Sequence, residues 1–358
     1  MPRDPLRVSH AGLPIDPFQA LMQLVIKLAV GLLLVALLVI AGAAAALYLN
    51  AAKPERPVGF ARLSVPDPED APLDVGVWYP TDSRPGFGLV GISPQIVAGN
   101  GNVAGRSLPL IVISHGNGGL LSSHSDTALA LASAGFVVAA VTHTGDNAQD
   151  DRYVGTPRWL VDRPRHVRLV LDHLLGQWQA RAQLDPSRIG VFGFSAGAFT
   201  ALVAMGGVPD LTRIDTHCRT HQEVACQLWK QSPAAAVAPA RWVHDSRIRA
   251  AVVAAPGYGF TFEPDGLSQV KAEVELWNGA EDNLVPYDTN VAPVRRLLPN
   301  PPEYHVVPGA GHFAFLAPCP AWLFPMICKD PQGFDRTAFH RDFNRAVVAF
   351  YQRALGPQ

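Results

Sequence analysis

Three rhythms of apolar and polar residues divide this chain. The first is a run without any charge from Leu28 to Leu49, LAVGLLLVALLVIAGAAAALYL. As a helix it would be about 33 Å long, enough to cross a hydrocarbon layer of roughly 30 Å. The second begins near Val58, where short apolar runs alternate with helical stretches. Val58–Ser64 and Asp74–Tyr79 predict an opening strand pair, and residues 81–107 read as a loop rich in Gly, Pro and Ser. Leu108–Ser114, Phe136–Val141, Arg188–Gly193, Arg249–Ala254, Val274–Asn278 and Tyr304–Val307 are apolar almost throughout, as strands buried on both faces are. Ser125–Ser133, Arg163–Leu175, Ala196–Met205 and Asp335–Arg353 carry apolar residues at helical spacing. Strands alternating with helices predict an α/β domain over residues 58–358, with a mostly parallel sheet covered on both faces. No internal repeat is visible.

The third rhythm is an interruption. About 40 residues, roughly 206–247, separate the helix ending near Met205 from the strand starting near Arg249, where connections of about 2–6 residues are usual. This insertion contains Cys218, Cys226, Trp229 and Trp242. It reads either as a lid over a site or as a peripheral excursion.

Residues 1–27 read as a polar tail and 50–57 as a linker. The length of 28–49 exceeds the apolar core usual in a cleaved signal, which favours a retained transmembrane anchor. Ala44-Ala45-Ala46 keeps signal cleavage and secretion as the alternative. Arg3, Arg7 and Lys27 before the run are matched by Lys53, Arg56 and Arg62 after it, so charge asymmetry does not orient it. The cysteines do. Four of them form two local pairs, Cys218 with Cys226 and Cys319 with Cys328, as expected for two small disulfide loops in an oxidising compartment. Neither pair has the C-x2-4-C spacing of a zinc site, and no metal is expected. The domain is therefore expected on the periplasmic or extracellular side. A net charge of −1 offers no basic face for nucleic acid.

The chemistry centres on Gly193-Phe194-Ser195-Ala196-Gly197, a G-x-S-x-G between a buried strand and a helix. In such a turn the serine is held in a strained conformation, and flanking glycines let strand and helix approach closely. A serine hydroxyl needs a base to become a nucleophile. Of the histidines that follow, His312 sits in the glycine-rich loop Pro308-Gly309-Ala310-Gly311-His312-Phe313, just after a strand. His305 lies within that strand, and His217, His221 and His244 lie in the insertion. The acid that orients the base belongs between them in the chain. Asp282 follows strand Val274–Asn278, at the strand end where active-site loops gather. Glu281, Asp288 and Asp265 are the neighbouring alternatives. Two backbone N–H groups are needed for a developing oxyanion. Ala196 supplies one, and the loop His115-Gly116-Asn117-Gly118-Gly119 supplies the other at Asn117. His115 precedes the serine in the chain and is expected to serve structure.

Val77-Trp78-Tyr79-Pro80, the His115–Gly119 loop, the Gly-Phe-Ser-Ala-Gly turn and Gly311-His312-Phe313 together resemble the bacterial "predicted dienelactone hydrolase" group of the α/β-hydrolase superfamily, a group related to platelet-activating-factor acetylhydrolases. The resemblance covers roughly 58–355. It implies the α/β-hydrolase fold and Ser/Asp/His hydrolysis of a small-molecule ester or lactone, without cofactor or metal. Two departures limit it. Authentic dienelactone hydrolases use a cysteine where this chain has Ser195. In the acetylhydrolases the acid follows an earlier strand, and the matching Ala254-Ala255-Pro256-Gly257 here has no carboxylate. The alternatives are an acyltransferase with the same triad and a non-catalytic binding protein on the same fold. Oligomeric state is not legible.

Overall fold

The computed structural model describes residues 16–229, 242–319 and 326–356. The chain divides between Ala51 and Ala52 into two compact units.

The first unit is helix α1 (Pro17–Leu49). Asp16 caps it, accepting the N–H of Phe18 at 3.1 Å, and Pro17 opens it. The helix thus begins eleven residues before the expected Leu28, so residues 17–27 belong to it and not to a polar tail. No residue of α1 is buried, and its most apolar window has a mean hydropathy of 3.0. A continuous apolar surface of this size suits a membrane.

The second unit is built on one ten-stranded sheet. In chain order its strands are β1 (Val58–Val65), β2 (Leu73–Pro80), β3 (Gly86–Val90), β4 (Ser93–Gly99), β5 (Leu108–Ser114), β6 (Val137–Thr142), β7 (Leu184–Phe194), β8 (Ile248–Ala254), β9 (Glu273–Gly279) and β10 (Glu303–Val307). Their spatial order is β10-β9-β8-β7-β5-β6-β2-β1-β4-β3. The run from β10 to β6 is parallel, whereas β2 pairs antiparallel with both β6 and β1. Helices α2 (Ser125–Ser133), α3 (Pro157–Gly176), α4 (Ala196–Ala204), α5 (Thr212–His217), α6 (Val224–Trp229), α7 (Ala292–Leu297) and α8 (Arg336–Ala354) complete the unit.

Strand alternation explains why the central parallel strands β5 and β6 are apolar almost throughout. Leu110 and Val112 of β5 join the core formed with α3 and α4, through Val167, Leu171, Phe199 and Leu202. Ile111 and Ile113 join the opposite core with α2 and α8, through Leu131, Phe343 and Val347. Full burial of each such side chain is worth about 1.5–3 kcal/mol.

The stretch 81–107 is not a plain loop. It holds the β3–β4 hairpin, turning at Gly91 (φ 61°), and β4 adds to β1 over Gly59↔Ala98 and Phe60↔Gly99. Four of the five β3 residues are not buried, so the strand never needed the apolar pattern that reveals its neighbours. The expected linker is also partly tied down, since Ala52 donates to Pro94 O and accepts from Ile96 N, both at 2.9 Å. Helix α3 begins six residues before the expected Arg163 and carries Pro164 inside it. Pro157 opens the helix, where its missing N–H costs nothing.

Candidate active site

The parallel strands end together, and the loops after them form one site. The turn after β7 holds Ser195 at φ 56°, ψ −118°, with its N–H bonded to Ala254 O at 3.0 Å. The neighbouring glycines are obligatory by contact. A Cβ on Gly193 would lie 2.2 Å from Gly197 O, and one on Gly197 would lie 2.0 Å from Ser114 O. The backbone cannot yield there without parting strand and helix.

His312 Nε2 lies 3.0 Å from Ser195 Oγ. Its other nitrogen, Nδ1, lies 2.7 Å from Asp282 Oδ2. The remaining carboxylate oxygen accepts the N–H groups of Leu284 (3.1 Å) and Val285 (2.9 Å). Asp282 is thereby fixed on one side by backbone and acts on the imidazole with the other. This holds the tautomer in which Nδ1–H donates to Asp282 and Nε2 accepts from the serine. Phe194 packs on the imidazole at a centroid distance of 4.8 Å. The structure thus brings Ser195, Asp282 and His312 together. Glu281 and Asp288 are exposed, and Asp265 is likewise exposed in the β8–β9 crossover. The segment 254–257 lies against the serine through backbone alone, with Gly257 N–H donating to Ser195 O at 3.2 Å.

Ala196 and Asn117 border the same cavity as Ser195. Neither backbone N–H has a hydrogen-bond acceptor among the described residues. The loop carrying Asn117 touches the nucleophile, since a Cβ on Gly116 would come within 3.2 Å of Ser195 Cβ. His115 is buried, with Nδ1 2.6 Å from Gly116 O and Nε2 accepting the His143 N–H at 3.1 Å. Both ring nitrogens are used internally, and burial pulls its pKa down to about 4.

The cavity measures about 430 Å³ and is mostly apolar, walled by Leu120, Trp159, Phe194, Tyr258, Leu284 and Phe313 among others. Part of its wall comes from the insertion, through Glu223, Val224, Ala225 and Leu228. Another part comes from the second cysteine loop, through Pro318, Cys319 and Ile327. Both expected disulfides are present, Cys218–Cys226 and Cys319–Cys328. Residues 230–241, in the insertion, lie outside the described residues. Glu223 is the one carboxylate on the wall, and both its oxygens are engaged. Oε1 accepts from Thr289 Oγ1 at 2.5 Å and lies 3.1 Å from His217 Nε2, while Oε2 accepts from Asn290 Nδ2 at 2.9 Å.

The residues that the sequence reading missed stand behind the Asn117 loop. Asp146, after β6, is 1% exposed. Its Oδ1 accepts from Asn117 Nδ2 (2.7 Å) and Gly118 N–H (2.8 Å). Its Oδ2 accepts from Trp159 Nε1 and Arg163 Nη1, both on α3. The signal was available: Asp146 follows a buried strand as Asp282 does, and Trp159 and Arg163 are four apart, on one helix face.

Metal-type clusters are few among the described residues. His217 and His221 stack ring on ring at 4.0 Å rather than converging on a point. Glu275, Glu303 and His305 do converge, with His305 Nε2 3.4 Å from each carboxylate. Glu303 is also paired with Arg353 at 2.6 Å. Burial raises the Glu275 pKa to about 7 and lowers that of His305.

Residues 94–158 match the family described as platelet-activating factor acetylhydrolase, isoform II. That stretch holds β4, β5, the Asn117 loop and Asp146 and stops before Ser195. No curated protein matches the chain. Among solved structures, the ferulic acid esterase from Streptomyces cinnamoneus is similar with a TM-score of 0.62 and 20% identity, over 85% of this chain and 93% of that one. At this identity the likeness establishes architecture, and 755 solved chains match the chain.

Proposed function

Taking as premise that the chain is an α/β-hydrolase by fold, we propose that it is a serine hydrolase of carboxylic esters or lactones, a dienelactone hydrolase-like esterase that works through a Ser195–His312–Asp282 triad in place of a cysteine nucleophile. The observation that carries this reading is the unbroken series of hydrogen bonds from Asp282 through His312 to Ser195, opening into the cavity beside two N–H groups without acceptors. Both likenesses are to proteins named as ester hydrolases, which supports the same chemistry.

In this reading Ser195 Oγ attacks the substrate carbonyl carbon as its proton passes to His312 Nε2. The oxyanion faces the N–H groups of Ala196 and Asn117. Collapse of the adduct breaks the ester C–O bond, and His312 returns the proton to the departing alkoxide. In a lactone that alkoxide remains tethered to the acyl chain. Water, deprotonated by the same imidazole, then hydrolyses the acyl-enzyme. Each protein group ends in its starting state. The apolar wall, whose one carboxylate is fully engaged, favours an uncharged substrate, and about 430 Å³ suits a small molecule.

Helix α1 and the cysteines support one topology. A retained membrane anchor with the α/β unit outside the cytoplasm accounts for an exposed apolar helix together with two disulfides.

The test combines a fluorophosphonate probe with a p-nitrophenyl ester panel of increasing acyl length. The probe should label Ser195, and Ser195→Ala should abolish both labelling and turnover. Labelling elsewhere, or turnover surviving in the variant, would sink the reading. Product analysis with added alcohols or amines separates hydrolysis from acyl transfer.

A further inference from the structure

The Asp146–Arg163 pair reaches both sides of the proposed oxyanion site. Asp146 holds the Asn117 side chain and the Gly118 N–H. Arg163, also 1% exposed, donates through Nη2 to His115 O at the start of the same loop. Its Nε donates to Thr200 Oγ1 at 3.0 Å. Thr200 in turn donates to Ala196 O at 2.8 Å. One buried ion pair therefore fastens the loop that bears one N–H donor to the helix that bears the other. These two elements contact each other through Gly197, where a Cβ would lie 2.6 Å from His115 O.

Resting on the serine-hydrolase reading, we propose that Asp146, acting with Arg163, is a positioning residue that sets the aim of the Asn117 and Ala196 N–H groups on the oxyanion. Asn117 is exposed and its loop is rich in glycine, so the loop has little stiffness of its own. Besides its own Gly119 N–H to Gly116 O bond and the contacts of the His115 ring, it is tied to the rest of the unit by the two bonds to Asp146 Oδ1 and the bond from Arg163 to His115 O. Oxyanion stabilisation depends on donors fixed beforehand at 2.7–3.1 Å from the oxygen, so a loop free to swing loses transition-state binding before it loses substrate binding. Arg163 suits this role because its charge does not titrate and its planar fork engages several acceptors at once.

The test compares Asp146→Asn and Asn117→Ala with wild type on one activated ester. Asn at position 146 keeps the shape but presents an NH2 group to one of its two donor pairs. For this variant kcat should fall about tenfold to a hundredfold, below the 10²–10³ seen for outright loss of an oxyanion donor, with KM within about threefold. Affinity for a trifluoromethyl ketone, whose adduct with the serine carries the oxyanion, should weaken in proportion to kcat/KM. A purely structural role would not produce that proportionality. Asn117→Ala removes a single bond at an exposed position and keeps the ion pair, so it decides the matter if Asp146→Asn does not fold. Folded variants with unchanged kcat and ketone affinity, or with raised KM alone, overturn the proposal. Failure of the parent reading is separable: Ser195 would then go unlabelled in the wild type.

Discussion

Asp282 and Asp146 occupy equivalent places, each in the loop after a buried parallel strand, and each with two acceptor oxygens turned to different partners. On Asp282 one oxygen is saturated by the N–H groups of Leu284 and Val285, and the other meets an imidazole. On Asp146 one oxygen holds the Asn117 loop and the other meets a guanidinium. The partner makes the difference. A histidine gains and loses a proton within the range of ordinary pH, whereas an arginine does not. On the proposed mechanism the same carboxylate geometry serves proton transfer in one place and fixed alignment in the other.

The comparison is broken most directly at the proton-transfer end. Ser195→Ala should remove ester hydrolysis, and Asp282→Asn should lower kcat by about 10⁴ with little change in KM, because an amide stabilises the wrong imidazole tautomer. Steady-state kinetics on a p-nitrophenyl ester, with melting temperature as the control for folding, measures both. An Asp282→Asn enzyme within tenfold of wild type would end the assignment of the acid.

At the alignment end the largest effect should be on stability. Asp146→Ala leaves the buried Arg163 charge uncompensated, which costs about 3–5 kcal/mol in buried pairs. Asp282 faces an imidazole that can be neutral, so Asp282→Ala should cost less. Urea unfolding of the two variants compares them, and equal losses would contradict the distinction.

Acid should expose the same contrast. Burial holds His115 at a pKa of about 4, against about 6.5 in an unfolded chain. Between those values the unfolded state binds the extra proton, so stability rises with pH and falls on acidification. The contribution is complete above pH 6.5 and is lost progressively toward pH 4, and the buried His124, His143 and His166, whose pKa values burial also lowers, add to the loss on acidification. Denaturation midpoints measured from pH 7 to 4 should decline over that window. A flat profile would mean that His115 is not held neutral by the fold.

The smallest effects should come from the carboxylates beside Asp282. Glu281→Gln and Asp288→Asn alter exposed charges without a part in the hydrogen-bond series, and kcat should stay within about threefold. A crippled Glu281→Gln or Asp288→Asn enzyme would sharpen the picture by moving the acid, while leaving Ser195 and His312 in place.

Much of this was legible in the chain itself. Continuous apolar runs at Leu108–Ser114 and Phe136–Val141 announce strands covered on both faces, because a sheet between two helical layers tolerates no polar side. The turn at Ser195 was legible for a steric reason, since only glycine fits at positions 193 and 197. His312 and Asp282 followed from chain order and from loops placed after strands. The uncharged run from Leu28 announced a helix long enough for a bilayer, although its start at Pro17 did not show. What local pattern could not reveal was whatever depends on distant partners. The β3 strand is largely exposed and exists by pairing with β4, which leaves no apolar signature. The first six residues of α3 lay outside the expected helix, and with them went Trp159. Asp146 looked like any loop carboxylate until α3 folded across it and brought Arg163. Even the wall of the cavity is assembled from segments as far apart as Ile92, Val224 and Ile327. Steric and hydrophobic demands act on neighbours in the chain and so are written in sequence, whereas charge pairing and cavity shape arise only where remote segments meet.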